Sequence, residues 1–489
     1  MVFDQSMSLS ELQKKLEKTI KGQVLCDNEA LEYYSVDSSS YKIRPKVVVM
    51  PKNLRDIVLV LRFASKRKIS VTPRGAGTGL VGSALGDGII LDMKNFDKIK
   101  ITKNYAEVGA GVLKGNLDKE LSKHGKFFGP NPSVGPFCTI GGMIATNASG
   151  SRSLKYGSVI DNLLDVTLVA GDGNLIKLPS HKEFSDFVAN VADSVDKSRF
   201  PQVSKNSCGY RLDAVNDQND SQKIIAGSEG TLGIVVSARL KIRKLPQKRS
   251  LVILGYGSVT LAAHDCQNLI RLYPSALEFV DRITMKNFKT DFPRATNCLL
   301  FIEFDENIKQ GIARLNKVSN AKILYKLDNE SDIQRWWKYR DSALYYSMKK
   351  VLPKEAMPHI IEDATVPVSR LPELFSIADL IRKKLHAKII TYGHAGNGNI
   401  HIRLILPNKN KKLIKKIATL FFTRIILLGG TITGEHGDGL ARSEFVKVQY
   451  DKKTYLAFKK IKQRFDPHNI LNQDKIITKK STLVSKLVL

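Results

Sequence analysis

Cysteine is sparse and scattered in this chain. Its five residues, Cys26, Cys138, Cys208, Cys266 and Cys298, form no CxxC pair, so no iron–sulfur or thiolate-zinc signature exists. Such spacing reads as reduced thiols in a cytosolic compartment. Long apolar runs are missing too. Arg424 interrupts the most apolar stretch, Leu420 to Leu428, and nothing approaches the roughly 20 residues of a membrane span. Asp4, Glu11 and Glu17 stand where a signal peptide would be apolar. A cytoplasmic protein is expected, soluble or peripheral at the inner face of a membrane. Acidic residues are in deficit, 47 against 77 Lys+Arg, for a net charge of +30. The basic residues are spread out, and clusters such as Lys409-Asn410-Lys411-Lys412 and Lys349-Lys350 lack interleaved aromatics. Three readings of the charge compete: a lysine-rich solvated surface, a face for anionic lipid, or a nucleic-acid partner. The last has least support, and no nucleic acid is expected.

What is present suggests a globular protein of two or three domains, with an ordinary 43% hydrophobic content. Leu9, Leu12, Leu16 and Ile20 share one helical face, so residues 1–35 read as a helical lead-in. Val47 to Met50 reads as a strand, 53–68 as an amphipathic helix, and Ile69 to Thr72 as the next strand, a βαβ unit. Gly88 to Leu91 and Ala106 to Gly109 read as strands, Leu113 to Lys126 as a helix, and 128–150 as loop-rich. Val166 to Leu178 reads as a hairpin turning at Gly171-Asp172-Gly173. The charged, Pro-containing run from Lys241 to Arg249 marks a boundary near 245. Beyond it strands such as Cys298 to Glu303 alternate with helices such as Lys411 to Leu427. The last dozen residues are expected to fray.

Two kinds of motif carry chemistry. The first is glycine-dense loops. Pro73-Arg74-Gly75-Ala76-Gly77-Thr78-Gly79-Leu80 follows a strand and allows backbone N–H groups to converge on an anion. Turn and strand, not a helix, follow it, which disfavours a Rossmann dinucleotide site; a tight turn between strands is the alternative. Pro130 to Ser149 and Ala226 to Gly233 are further loops able to wrap one extended cofactor. The second kind is histidine among glycines. Only nine histidines occur, and three lie in Gly393-His394-Ala395-Gly396-Asn397-Gly398-Asn399-Ile400-His401 and Gly434-Glu435-His436-Gly437. Gly396 and Gly398 permit a turn that brings the first two rings together. His394, His401 and Glu435 then make a three-ligand metal set with an open position, and His436 projects differently, toward a substrate. Arg340, after Trp336-Trp337, is either a bidentate carboxylate clamp or a surface salt bridge.

Taken together, residues 73–80, Cys138 to Gly150, Leu154-Lys155-Tyr156-Gly157 and Ala226 to Val235 resemble the FAD domain of the vanillyl-alcohol oxidase/p-cresol methylhydroxylase flavoproteins. The C-terminal half is similar to the D-lactate dehydrogenase, glycolate oxidase flavin-subunit and D-2-hydroxyglutarate dehydrogenase branch. The resemblance spans roughly residues 36–475. It implies an α+β fold: a two-part FAD-binding domain (36–245), then an α+β substrate or cap domain with an antiparallel sheet (246–476) and a tail (477–489). It implies FAD with its pyrophosphate on residues 74–79. The implied cofactor contacts are Pro73, Arg74, Gly75, Ala76, Gly77, Thr78 and Gly79; Pro130, Thr139, Gly141, Gly142, Ala145, Asn147 and Gly150; Tyr156 and Gly157; and Glu229, Gly230, Gly233 and Ile234. Thr78 stands where some members carry a flavin-linking histidine, which implies non-covalent FAD.

The matching positions in that branch imply a divalent metal, commonly zinc, on His394, His401 and Glu435. They also imply His436 as catalytic base and Arg340 as the carboxylate clamp. Glu362 and Asp363, in a segment Ile360 to Pro367 similar to a family strand, are supporting groups. Arg403 lies where some relatives carry a neutral polar residue; facing the pocket, it would favour a second acidic group on the substrate. The implied reaction oxidises a D-2-hydroxy acid to the 2-oxo acid, with hydride passing to flavin N5. Electrons then leave to a quinone, cytochrome, electron-transfer flavoprotein or iron–sulfur subunit, with peripheral membrane contact as one use of the basic surface. Rival readings are a metal-dependent hydrolase using the His/Glu site, a basic nucleic-acid-binding protein, and a flavoprotein reducing an enolpyruvyl sugar nucleotide.

Overall fold

The computed structural model describes residues 8–319 and 321–489; the expected lead-in over residues 1–7, Asp4 included, lies outside them. Ile57, Val60, Leu61 and Ala64 recur at helical spacing, and helix Leu54–Arg67 buries all four. The Asn53 side chain accepts from Asp56 N and closes the helix start. The strands on either side, Val47–Met50 and Val71–Arg74, both run parallel to Ile89–Asp92, which lies between them. The second strand leads directly into the first glycine loop. The lead-in is helical only at Leu9–Glu17 and Asn28–Tyr33. Between these, Gln23–Leu25 pairs antiparallel with Val47–Met50, because that strand offers an open edge of backbone donors and acceptors.

A six-stranded sheet completes the N-terminal half. Its long strand Ile234–Lys244 pairs antiparallel with Tyr105–Gly109, Leu163–Val169 and Lys126–Phe128. The hairpin turning at Gly171-Asp172-Gly173 is present, Leu163–Val169 against Leu175–Leu178. The helix expected to reach Lys126 stops at Ser122; Gly125 turns at φ +62° and Lys126 enters a strand. Residues 128–150 are not all loop. Thr139 caps a helix Ile140–Thr146, whose glycines hide it from propensity reasoning.

The C-terminal half is built on a six-stranded antiparallel sheet. Its order runs Lys322–Leu327, Ser250–Tyr256, Cys298–Phe304, Ala276–Asp281, Lys388–His394, Asn399–Ile405. The molecule is thus α+β, with a two-part N-terminal half and an antiparallel C-terminal sheet. The halves are joined by buried charge: Arg152 donates to both oxygens of Glu303 at 2.6 and 2.7 Å, and Trp337 Nε1 donates to Glu303 Oε2 at 2.7 Å. Residues 466–476 return to the N-terminal half, where Asn472 Nδ2 donates to the carbonyls of Glu229 and Ser83.

Two expectations are corrected. The terminal residues do not fray: Leu483 and Leu487 are buried, Tyr41 donates to the Leu483 carbonyl at 2.8 Å, and Val488 N donates to Ser40 O at 2.8 Å. Apolar side chains at the end find a groove beside Tyr41, which outweighs terminal entropy. The segment Ile360 to Pro367 is no strand; only Thr365 makes isolated bridges, to Asn399 and Thr431. Among the described residues, no helix is long and apolar enough to cross a membrane.

Gly398 adopts φ +73°, and a Cβ there would sit 1.8 Å from the Val366 carbonyl oxygen. Gly398→Ala is expected to cost about 1–3 kcal/mol or more through strain and displaced backbone. Thermal denaturation checks this; an unchanged midpoint would contradict the tight turn.

Candidate active site

The hairpin holding two of the singled-out histidines explains their convergence. Strands Lys388–His394 and Asn399–Ile405 are joined by a short turn, with His401 opposite Tyr392 and His394 opposite Asn399. His401 therefore faces a residue two before His394, and both histidines fall on one face of the pair. Their rings lie 5.2 Å apart, edge to face. His436 arrives from the loop after helix Lys411–Leu427 and stacks on His401 at 5.1 Å, the planes 11° apart. The three imidazoles meet as expected.

Glu435 is the shared partner. Its Oε1 lies 2.8 Å from His394 Nε2 and 3.4 Å from His401 Nε2, while Oε2 accepts from Lys205 Nζ at 2.9 Å and from Ser149 Oγ. The other ring nitrogens face acceptors: His394 Nδ1 lies 2.8 Å from Glu278 Oε1, and His401 Nδ1 3.2 Å from the Glu362 carbonyl. With a proton on each Nδ1, both Nε2 lone pairs would point toward Glu435 Oε1, the arrangement that a cation between them requires. A cation held between them satisfies all three, and the hydrogen-bonded Nδ1 groups are what a metal-binding histidine usually has behind it. Burial disfavours the charge on Glu435, but His394 and Lys205 outweigh it and hold its carboxyl well below the ordinary range. Burial also pushes the His401 imidazole down to about 4.

Asp363 fixes the loop. Its Oδ2 accepts from three consecutive amides, Gly434, Glu435 and His436, at 3.0, 3.0 and 2.9 Å, and Asn399 Nδ2 donates to Oδ1 at 3.2 Å. Asp363 also joins His401, Glu435 and His436 in a group whose ligand atoms lie within 4.8 Å of one another. With both oxygens already accepting N–H bonds, Asp363 serves as scaffold, and the His394 set is the one with free lone pairs. His436 Nδ1 lies 3.0 Å from Glu362 Oε1, which leaves Nε2 as its basic nitrogen. Burial opposes charge on this ring, yet Asp363 and Glu362 outweigh it and raise its pKa above the ordinary histidine value.

Arg340 is buried on helix Glu330–Asp341, so it is no surface ion pair. It pairs with Glu278 and lies 3.3 Å from His394 Nδ1; its Nε has no hydrogen-bond partner among the described residues. Sequence reasoning missed Glu278, Lys205, Arg442 and Ser149. Arg442 donates to Glu362 Oε1 at 2.6 Å and to the Ile360 and Gly437 carbonyls. A signal existed for Glu278, a carboxylate inside the apolar strand Ala276–Asp281. Nothing local marks Lys205.

Arg340, His394, His401, Glu435 and His436 line one cavity of about 600 Å³ together with the glycine loops. Of the expected cofactor contacts, Pro73, Arg74, Gly75, Ala76, Gly77, Thr78, Gly79, Thr139, Gly141, Gly142, Ala145, Gly150, Glu229, Gly230 and Gly233 line it. A Cβ at Gly79 would meet only Ser83 Oγ, at 4.0 Å, so this position opens on the cavity. The Arg74 guanidinium turns away, donating to the Val36 carbonyl at 2.8 Å. The Glu229 carboxylate accepts from the amides of Asp438 and Gly439.

Pro130, Asn147, Tyr156, Gly157 and Ile234 are not among the lining residues. Pro130 is buried. Asn147 ends helix Ile140–Thr146 at φ +52° and accepts from Ile160 N. Tyr156 donates to Asp305 in the other half, and Gly157 turns the chain at φ +74° over Asp161. Ile234 is fully buried in its sheet, paired with Val169. Sequence reasoning did not single out Cys138, which lines the cavity with its Sγ 3.6 Å from Thr78 Oγ1.

Each half contains a known domain. Residues 45–179 match the FAD binding domain, and residues 245–476 match the C-terminal domain of FAD linked oxidases. Both domains of the FAD-linked oxidases are thus present in this one chain. It is 29% identical to the glycolate oxidase subunit GlcD of Bacillus subtilis, covering 91% of this chain and 92% of that protein. It is 29% identical to a D-lactate dehydrogenase of Archaeoglobus fulgidus, over 91% and 96%. A D-2-hydroxyglutarate dehydrogenase of Pseudomonas putida is also 29% identical, over 94% of this chain but 51% of that protein. Among solved structures, alkyldihydroxyacetonephosphate synthase superposes with a TM-score of 0.67 at 19% identity, covering 97% of this chain and 86% of that one. A 6-hydroxy-D-nicotine oxidase from Arthrobacter nicotinovorans gives 0.61 at 16% identity, over 94% and 98%. The fold is accordingly the two-domain p-cresol methylhydroxylase type, and the chain is an oxidoreductase.

Asp363→Ala leaves three amides and the nearby Arg442 guanidinium without a buried anion, at an expected cost of about 3–5 kcal/mol. Urea denaturation checks this, and stability equal to the parent's would show the loop to be held by other means.

Proposed function

We propose that this protein oxidises a D-2-hydroxy acid of the glycolate, D-lactate or D-2-hydroxyglutarate class to the 2-oxo acid. One observation carries the reading: three imidazoles, Glu435 and Arg340 form one wall of the cavity whose other wall is the glycine loops. FAD held non-covalently on those loops would supply the two-electron acceptor for the substrate's hydride. The glycines admit it, and Thr78 offers no imidazole for attachment. A divalent metal, zinc foremost, on His394, His401 and Glu435 would supply Lewis acidity toward the α-hydroxyl.

The chain's own side chains do the rest. Arg340 binds the substrate carboxylate through the N–H groups that Glu278 leaves available. Lys205 and Ser149 hold Glu435 Oε2, so Oε1 stays aimed at the two Nε2 atoms. His436 takes the hydroxyl proton at Nε2. Glu362 holds its Nδ1 and stabilises the imidazolium that results. A hydrolase reading leaves the glycine wall without a role, and a nucleic-acid reading leaves both walls without one.

The electrons then pass to a quinone, a cytochrome, an electron-transfer flavoprotein or an iron–sulfur subunit. The relative from Bacillus subtilis is itself named as a subunit, which supports a protein acceptor. The +30 charge suits an acidic partner or an anionic membrane surface.

His436→Ala should slow anaerobic flavin reduction by about 10²–10⁴-fold, the usual contribution of a positioned base, while the visible absorption spectrum still shows bound FAD. An undiminished rate would remove His436 from its role. Chelation should likewise abolish turnover, and full activity in a preparation shown to be metal-free would strike the metal from the proposal.

A further inference from the structure

We propose that Arg403 and His359 form a subsite for a second acidic group, so that the preferred substrate is a short 2-hydroxy diacid. The inference rests on the hydroxy-acid reading of the site and narrows it. Arg403 lies two residues beyond His401 on strand Asn399–Ile405, hence on the same face. It is 2% exposed and His359 is 7% exposed, and both line the cavity shared with Arg340 and the imidazoles. Each carries a buried nitrogen without a hydrogen-bond partner among the described residues. Arg403 Nε donates to Tyr392 Oη at 2.9 Å, but Nη1 lies 3.6 Å from Glu362 Oε2 and has no hydrogen-bond partner among the described residues. His359 Nδ1 has none either. Buried polar groups left unpaired are rare, and two on neighbouring residues of one cavity lining point to a ligand toward which small side-chain shifts would turn them.

Charge pairing singles out the same guanidinium. Four cations, Lys205, Arg340, Arg403 and Arg442, face four carboxylates, Glu278, Glu362, Asp363 and Glu435. Lys205 and Arg442 reach their partners at 2.9 and 2.6 Å, and Arg340 holds Glu278 closely. Arg403 is the loosest, and Glu362 is already held by Arg442 and His436. Burial, reinforced by Arg403, pushes His359 down to about 3; it is a neutral hydrogen-bonding group that brings no second charge. Leu344 and Met348 line the same cavity and offer an apolar wall to a methylene spacer.

The test compares matched pairs on the holoenzyme by anaerobic flavin bleaching: D-malate with D-2-hydroxybutyrate, and D-2-hydroxyglutarate with D-2-hydroxyvalerate. The diacid of at least one pair should lead in kcat/KM by about tenfold or more, through KM, as expected for a charged hydrogen bond. Arg403→Gln should shrink that preference by about 10–100-fold, and His359→Leu should shrink it less. Titrating the matching 2-oxo diacid against oxidised holoenzyme, read in the flavin spectrum, should show weaker binding to both variants. Monoacids equal to or better than diacids in both pairs would overturn the subsite while leaving the hydroxy-acid reading intact. A preference untouched by either substitution would overturn the residue assignment. If no 2-hydroxy acid bleaches the flavin, the reading of the whole site falls with the inference. Should Arg403→Gln fail to hold FAD, the comparison on the unaltered protein still decides, and Arg403→Lys tests the contact with charge retained.

Discussion

The active-site wall depends on one buried carboxylate that organises backbone. Asp363 Oδ2 accepts three successive amide protons from residues 434–436. Those amides belong to a loop that glycines leave free to take many shapes. Pinning it delivers Glu435 and His436 together to a hairpin more than thirty residues upstream. Asp363 is itself held by Asn399, in the turn region of that hairpin. The loop, the segment around Asp363 and the hairpin therefore form one hydrogen-bonded unit, and the imidazoles meet because it closes.

The second constraint is charge. Burying so many ionised groups is expensive, and the cost is contained only when each has an opposite partner at hydrogen-bond distance. The site meets this by sharing: Glu435 serves two histidines and Lys205, and Glu362 serves His436 and Arg442. Such a network orients its members tightly, since moving one leaves another unpaired in a low-dielectric setting. Arg340 and Arg403 each retain a nitrogen without a hydrogen-bond partner among the described residues.

The cavity exists because two halves with different architectures are locked together. Parallel strands and a crossover helix lead into the first glycine loop, and an antiparallel sheet presents the histidine hairpin. Arg152 and Glu303, with Trp337, clamp the halves through a bidentate ion pair. The chain end reinforces the clamp by returning to residues 83 and 229. The sequence hints at none of this, because each partner is an ordinary charged residue in its own segment.

Local patterning in the sequence already determined much. Helical spacing placed Leu54–Arg67 and Lys411–Leu427, glycine density marked the loops that line the cavity, and histidines among glycines marked the metal-ligand candidates. These features are legible because backbone freedom and side-chain chemistry are properties of a residue and its near neighbours. Only the tertiary structure decided that Gln23–Leu25 is an edge strand, that the C-terminal residues are packed, and that Tyr156 serves the contact between halves. Only it revealed Lys205, Glu278 and Arg442 as the charges behind the site. The physical reason is that pairing, burial and edge completion depend on what a distant segment brings alongside, and no local pattern encodes a partner hundreds of residues away.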